Sequence, residues 1–249
     1  MSINQTESGK SVYCSTPFEQ RVNQPHYETL RGLIRKYSRT HHILDLGCSD
    51  LAATQPLEEE GYTIYGLDLD PSALSKARCN CSRASLIGAD LNCLPLGRLG
   101  QIDTILAADI LEHLNEDEAI RLLKRMTEIG GCSISIIVAM PIISNYSVPY
   151  LIEAAQAKLR GQRPETGLLD RTHFILTNTD GHRKIFGEAD YLVNEESLTL
   201  FGTKNIAAKF LLHTAVPRLI HPFNEVEREA TMNRLTACQG IYVITPNQN

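Results

Sequence analysis

Four aspartates, Asp45, Asp68, Asp90 and Asp109, each close an apolar run, and the first three are evenly spaced (68 − 45 = 23 and 90 − 68 = 22). One strand plus one helix fills such an interval, so the acids are expected to recur along one edge of a parallel sheet. An open α/β sheet binds its ligands beyond the carboxyl ends of its strands. Asp68 there can accept from both hydroxyls of a ribose, and Asp90 from the exocyclic amine of an adenine. Asp45 can meet an ammonium group through water, or hold the neighbouring turn in shape. A ligand with a ribose, an adenine and an amino-acid head uses all three. Acids at strand ends also cap helices, as Asp50 and Asp70 are expected to do, and any one of the four taken singly reads as a cap.

The element that positions the first acid is the stretch His42 to Asp50, HILDLGCSD. Apolar residues lead to Asp45, then to the small-residue turn Gly47-Cys48-Ser49, then to a helix start. Such a turn lets a ligand approach the backbone, and the helix behind it offers free N–H groups. Around this turn the pattern predicts a helix over Pro17 to Tyr37 and strands at 43–46, 63–69, 85–90, 102–108 and 133–139. Pro56 makes the helix after the first strand kinked or late-starting, and Gly61 ends it. Asp70-Pro71 opens the next helix, and Asn115 with Glu118 forms a capping box for another. Helical spacing returns at 148–159 and 180–189, strands at 190–200 and 241–245. Short connections between alternating strands and helices imply right-handed crossovers and a parallel sheet.

A net charge of -5 and a pI near 5.9 argue against a general nucleic-acid or anionic-membrane binder, because phosphate neutralisation needs a basic face. No apolar run reaches membrane-spanning length and no leader is expected, so membrane insertion is not expected either. Seven scattered cysteines read as reduced thiols of a cytoplasmic protein. Cys79, Cys81 and Cys93 lack a CxxC pair or a histidine partner, and no metal centre is expected. Residues 1–16 are polar and without period, the pattern of a loose tail. Residues 17–249 are expected to form a single domain.

The ordered motifs ILDLGCSD (43–50), GLDLDPSAL (66–74), GADL (88–91) and DTILAADILEHL (103–114) make the chain similar to the class I S-adenosylmethionine-dependent methyltransferases. GLLDRTHFILTN (167–178) resembles a segment of a subgroup found in glycan and small-molecule pathways. The resemblance runs over about residues 40–200 and returns in the final strand. It implies an α/β, Rossmann-like sheet of seven strands, with helices on both faces and helical substrate-lid insertions at about 142–180 and 203–236. It places Asp45, Gly47, Cys48 and Ser49 against the methionine part of S-adenosyl-L-methionine, and Asp68 with Leu69 at the ribose. Asp90 and Leu91 fall around the adenine, with Ala107, Ala108 and Asp109 beneath the sulfonium.

The implied reaction is in-line displacement of the methyl group by a small-molecule or glycan-type acceptor. His113 and His173, both expected near the cleft, are the candidate bases. His113 also reads as a histidine that orders a helix start, and Asp170 to His173 as a segment that shapes its own loop. The family usually has glycine at the position of Ser49 and often at that of Leu51, and Leu51 is expected to add bulk on the cofactor side. That departure supports an alternative, a non-catalytic pseudo-methyltransferase that serves as a binding or partner subunit. A nicotinamide-dependent dehydrogenase is disfavoured, because the first turn lacks GxGxxG. The apolar stripe Val148, Leu151, Ile152, Ala155 and Leu159 fits a core contact or a homodimer face.

Overall fold

Side chains alternate across the strands, so each strand serves two cores. A computed structural model of the chain describes residues 17–81, 83–91, 102–142, 155, 159, 173–175, 177–199 and 239–248. Strands β1 (His42–Leu46), β2 (Thr63–Asp68), β3 (Ser85–Gly88), β4 (Thr104–Ala108), β5 (Ser135–Pro141), β6 (Tyr191–Thr199) and β7 (Gln239–Pro246) form one sheet. Its order is β3-β2-β1-β4-β5-β7-β6. The first five strands pair in parallel, as the short crossovers required. The parallel expectation stops there, because β7 is antiparallel to both β5 and β6.

On one face Leu44, Leu46, Ile105, Ala107, Ile136 and Val138 pack with Leu122, Leu123 and Met126 of α5 (Glu116–Gly130) and with Ile185 and Phe186 of α6 (Thr179–Glu188). On the other, Ile43, Leu106, Ile137 and Ala139 pack against Leu30, Leu33 and Ile34 of α2 (Pro25–Tyr37) and Leu57 of α3 (Gln55–Glu59). The continuous apolar runs of β4 and β5 follow from this double coverage.

The predicted helix Pro17 to Tyr37 is in fact two, α1 (Phe18–Val22) and α2. Gln24 is extended and Pro25 opens the second helix, because the residue before proline is pushed out of the helical region. Pro56 has the late-start effect: α3 begins only at Gln55. The Asp70 cap of α4 (Pro71–Asn80) and the Asn115–Glu118 capping box of α5 both form. Strand β3 ends at Gly88, so Asp90 stands two residues beyond it. The expected tail 1–16, the insertion 203–236 and most of the insertion 142–180 lie outside the described residues. Of the apolar stripe, Ala155 and Leu159 are described, and both are helical and exposed. No helix among the described residues is long and apolar enough to cross a membrane.

Candidate functional site

The heads of β1, β2 and β4 converge on the turn after β1. Gly47 has φ +63°, and a Cβ there would run into the Ile110 side chain, so glycine is required on two counts. The Cys48 N–H donates to the Leu67 carbonyl at 3.0 Å, which joins the turn to the head of β2. Ser49 N–H donates to Asp68 Oδ2 and Asp70 N–H to Asp68 Oδ1, each at 2.8 Å. Asp68 therefore fixes both the turn and the start of α4, and each of its oxygens keeps a lone pair for another donor. Asp45 is 3% exposed and accepts from Thr54 Oγ1 at 2.7 Å. Burial pushes its carboxyl up to about 7, against the pull of that hydrogen bond. Burial likewise pushes up the Cys48 thiol, which stays protonated and unreactive.

Ser49 and Leu51 have φ of 48° and 65°, so the turn adopts glycine-like backbone without glycine. The expected bulk of Leu51 on the cofactor side is not found. Its side chain is fully buried behind the turn with Cys48, Ile64, Ala77 and Cys81, in a cluster that includes residues of α4. Cys79 is exposed while Cys81 is buried, so this pair does not present two ligands together.

A second group gathers at the head of β4. Asp109 has φ +54°, donates its N–H to the Ala139 carbonyl at 3.0 Å and accepts from Gln239 Nε2 at 2.7 Å. Burial raises its carboxyl to about 6, and the Gln239 bond opposes the rise. Leu111–His113 form a single 3-10 turn that buries Glu112 to 1% exposure. The Glu112 carboxyl is raised well above the usual range, first by burial and then by the charge of Asp109. Phe174 and Ile175 donate their N–H groups to the Glu112 carbonyl at 2.6 and 3.2 Å. This pins His173 beside His113, with ring centroids 4.8 Å apart and the rings edge to face.

Of the predicted site residues, Asp45, Gly47, Cys48, Ser49 and Asp68 form one connected group. Leu69 beside it is 64% exposed, an apolar side chain open at the sheet edge. Asp109, His113 and His173 form the second group, joined to the first through the contact that Ile110 makes at Gly47 and by Ala108, half-buried at the end of β4. Asp90 is exposed past β3, and Leu91 is half-buried against the main core. The Ala89 N–H donates to the Asp68 carbonyl at 3.2 Å, which holds this exit next to β2.

Sequence reasoning missed Glu112 and Gln239. Glu112 has the signal of a helix-start acid, and Gln239 comes from the far end of the chain. It also missed the cover over the turn. Arg21 of α1 forms a buried ion pair with Asp50, and Arg31 of α2 donates to the Ala53 and Val22 carbonyls at 3.2 and 3.0 Å. Tyr27 is within electrostatic reach of both groups. Burial foremost, then the charge of Asp109, pushes its hydroxyl up to about 12, and Asp45 adds to the rise.

A sequence model of the methyltransferase domain matches residues 44–134, the span from β1 to the foot of β5. An uncharacterised methyltransferase of Synechocystis is 33% identical over 87 residues, covering 35% of this chain and 38% of that protein. The match therefore spans well under half of the curated relative. A S-adenosylmethionine-dependent methyltransferase of Archaeoglobus fulgidus superposes with a TM-score of 0.59 at 18% identity, over 93% of this chain and 95% of its own. Magnesium protoporphyrin IX methyltransferase of Synechocystis with bound S-adenosylhomocysteine gives 0.54 at 15% identity, over 89% and 83% of the two chains. Strand order, matched domain and the order of strand-end motifs agree: residues 44–134 match the methyltransferase domain, and the chain has the fold of S-adenosylmethionine-dependent methyltransferases.

Proposed function

We propose that this protein moves the methyl group of S-adenosylmethionine onto a small-molecule or glycan acceptor, and that the two groups of side chains divide the work. The observation that carries this reading is Asp68, whose two oxygens are held by the N–H groups of Ser49 and Asp70. A carboxylate fixed in this way at the head of β2 presents its remaining lone pairs to a pair of vicinal hydroxyls, as a ribose offers. The exposed Leu69 and half-buried Leu91 supply apolar surface for an adenine, and Asp90 an acceptor for its amine. Asp45 and the turn Gly47-Cys48-Ser49 take the amino-acid end, and Ala108 and Asp109 lie under the sulfonium.

The acceptor's lone pair attacks the methyl carbon in line with the carbon–sulfur bond. That bond breaks with its electron pair going to sulfur, and S-adenosylhomocysteine leaves. The sulfonium is already activated, so alignment of the partners supplies most of the rate. An acceptor that must lose a proton gives it to His113 or His173, paired at the head of β4.

Incubation with labelled S-adenosylmethionine and separate pools of small metabolites, glycans, protein and nucleic acid tests the proposal. Label is expected in a metabolite or glycan fraction. Label confined to protein or nucleic acid would overturn the acceptor class.

A further inference from the structure

We infer that Glu112, His113 and His173 form a site for one divalent transition-metal cation at the head of β4. One ligand atom from each of the three lies within 4.8 Å of the others. The donor set is a carboxylate oxygen and two imidazole nitrogens, a combination suited to zinc, manganese, iron or cobalt and less to magnesium or calcium. Two ligands held about 2.1 Å from one ion stand at most about 4.2 Å apart. In a tetrahedral set they stand about 3.4 Å apart, so the group has to contract by roughly 1–1.5 Å, as rotation of its side chains allows. His113 is the exposed member of the group.

The independent observation is Glu112. Its side chain is 1% exposed, and Oε2 has no hydrogen-bond partner among the described residues. A buried carboxylate oxygen left without a donor costs on the order of 1–3 kcal/mol or more, and natural structures keep such groups where a ligand completes them. Among the described residues no donor does so. The backbone holds the three residues in place. The N–H groups of Phe174 and Ile175 clasp the Glu112 carbonyl, which fixes the His173 segment against the 3-10 turn.

A cation held there would bind an acceptor that offers oxygen next to the methylated atom, orient it toward the methyl group and, with both imidazoles taken up as ligands, replace them in easing the loss of its proton. This role rests on the proposed methyl transfer; the existence of the site does not.

The test uses the full chain after chelation. Co2+ is added with visible absorption as the readout, and Mn2+ and Zn2+ by calorimetry. One ion per chain is expected, with an imidazole-ligated cobalt spectrum. Glu112→Gln, His113→Ala and His173→Ala should each weaken binding by more than the ~10–100-fold typical of changes outside the ligand shell. His113 is exposed, so its variant reports even where another variant fails to fold. No uptake by the folded wild type, or an affinity unchanged in His113→Ala, would overturn the site. S-adenosylhomocysteine titrated on the same metal-free sample separates the two ideas. Cofactor binding without metal uptake leaves methyl transfer standing and removes the site; metal uptake without cofactor binding does the reverse.

Discussion

At the foot of β4 the carboxylate of Asp103 is 7% exposed and satisfied by four donors. The N–H groups of Arg39 and Thr40 donate to it at 2.6 and 2.7 Å, and the hydroxyls of Ser38 and Thr104 each at 3.0 Å. Burial by itself would raise this carboxyl, but the donors outweigh it and hold it below the usual value. At the head of the same strand Asp109 and Glu112 are raised, and one Glu112 oxygen has no hydrogen-bond partner among the described residues. One strand thus ends in two buried acidic environments of opposite sign. The fold itself completes the foot, tying the exit of α2 to the sheet. Among the described residues the head is left incomplete, which is what the proposed ligand site requires.

The largest effect that would break this contrast is at the foot. Asp103→Ala strands the donors around it and should cost about 3 kcal/mol in denaturant unfolding, with cofactor affinity of the folded protein unchanged. A stability equal to wild type would mean that the foot is not structural.

Next comes the head of β1. Asp45 titrates near 7 in the free protein, and a cationic ammonium beside it favours the charged form. Cofactor binding then releases a proton, so affinity should fall as pH drops below 7, about tenfold between pH 8 and pH 6. The free protein should move in the opposite sense, losing the stability contributed by protonated Asp45 as pH rises through about 7. Calorimetry in buffers of different ionisation enthalpy reads the proton directly.

At the head of β4, Asp109→Asn and Glu112→Gln remove charges that burial opposes. Each should change stability by less than about 1 kcal/mol while lowering methyl transfer, the reverse of Asp103→Ala. The smallest effect belongs to the turn. Ser49→Gly relieves a φ of 48° but frees the unfolded chain, so it should raise stability by less than about 1 kcal/mol and leave cofactor affinity within threefold.

The part of this contrast that was legible in the sequence is the part made by local pattern. Asp45, Asp68 and Asp90 announced the head of the parallel sheet because each ends an apolar run, and the caps at Asp70 and Asn115 follow from side chains near their own backbone. Side-chain direction at a turn was not legible. Leu51 reads as an obstruction until its φ of 65° shows it turned into the core. Contacts between distant segments were not legible either. Gln239 reaches Asp109 only because β7 inserts antiparallel beside β5, and Glu112 meets His173 only through the clasp by Phe174 and Ile175. The foot was missed for a similar reason, since Asp103 precedes its strand and carries no motif.

The central claim is that the head of the sheet is built for S-adenosylmethionine, and titration of S-adenosylhomocysteine into wild type and Asp68→Ala side by side tests it most directly. One equivalent should bind the wild type, and Asp68→Ala should lose about a hundredfold in affinity, as removal of a charged partner of two hydroxyls implies. A folded wild type that binds neither sulfur compound, or an Asp68→Ala variant that binds as tightly as wild type, would contradict it.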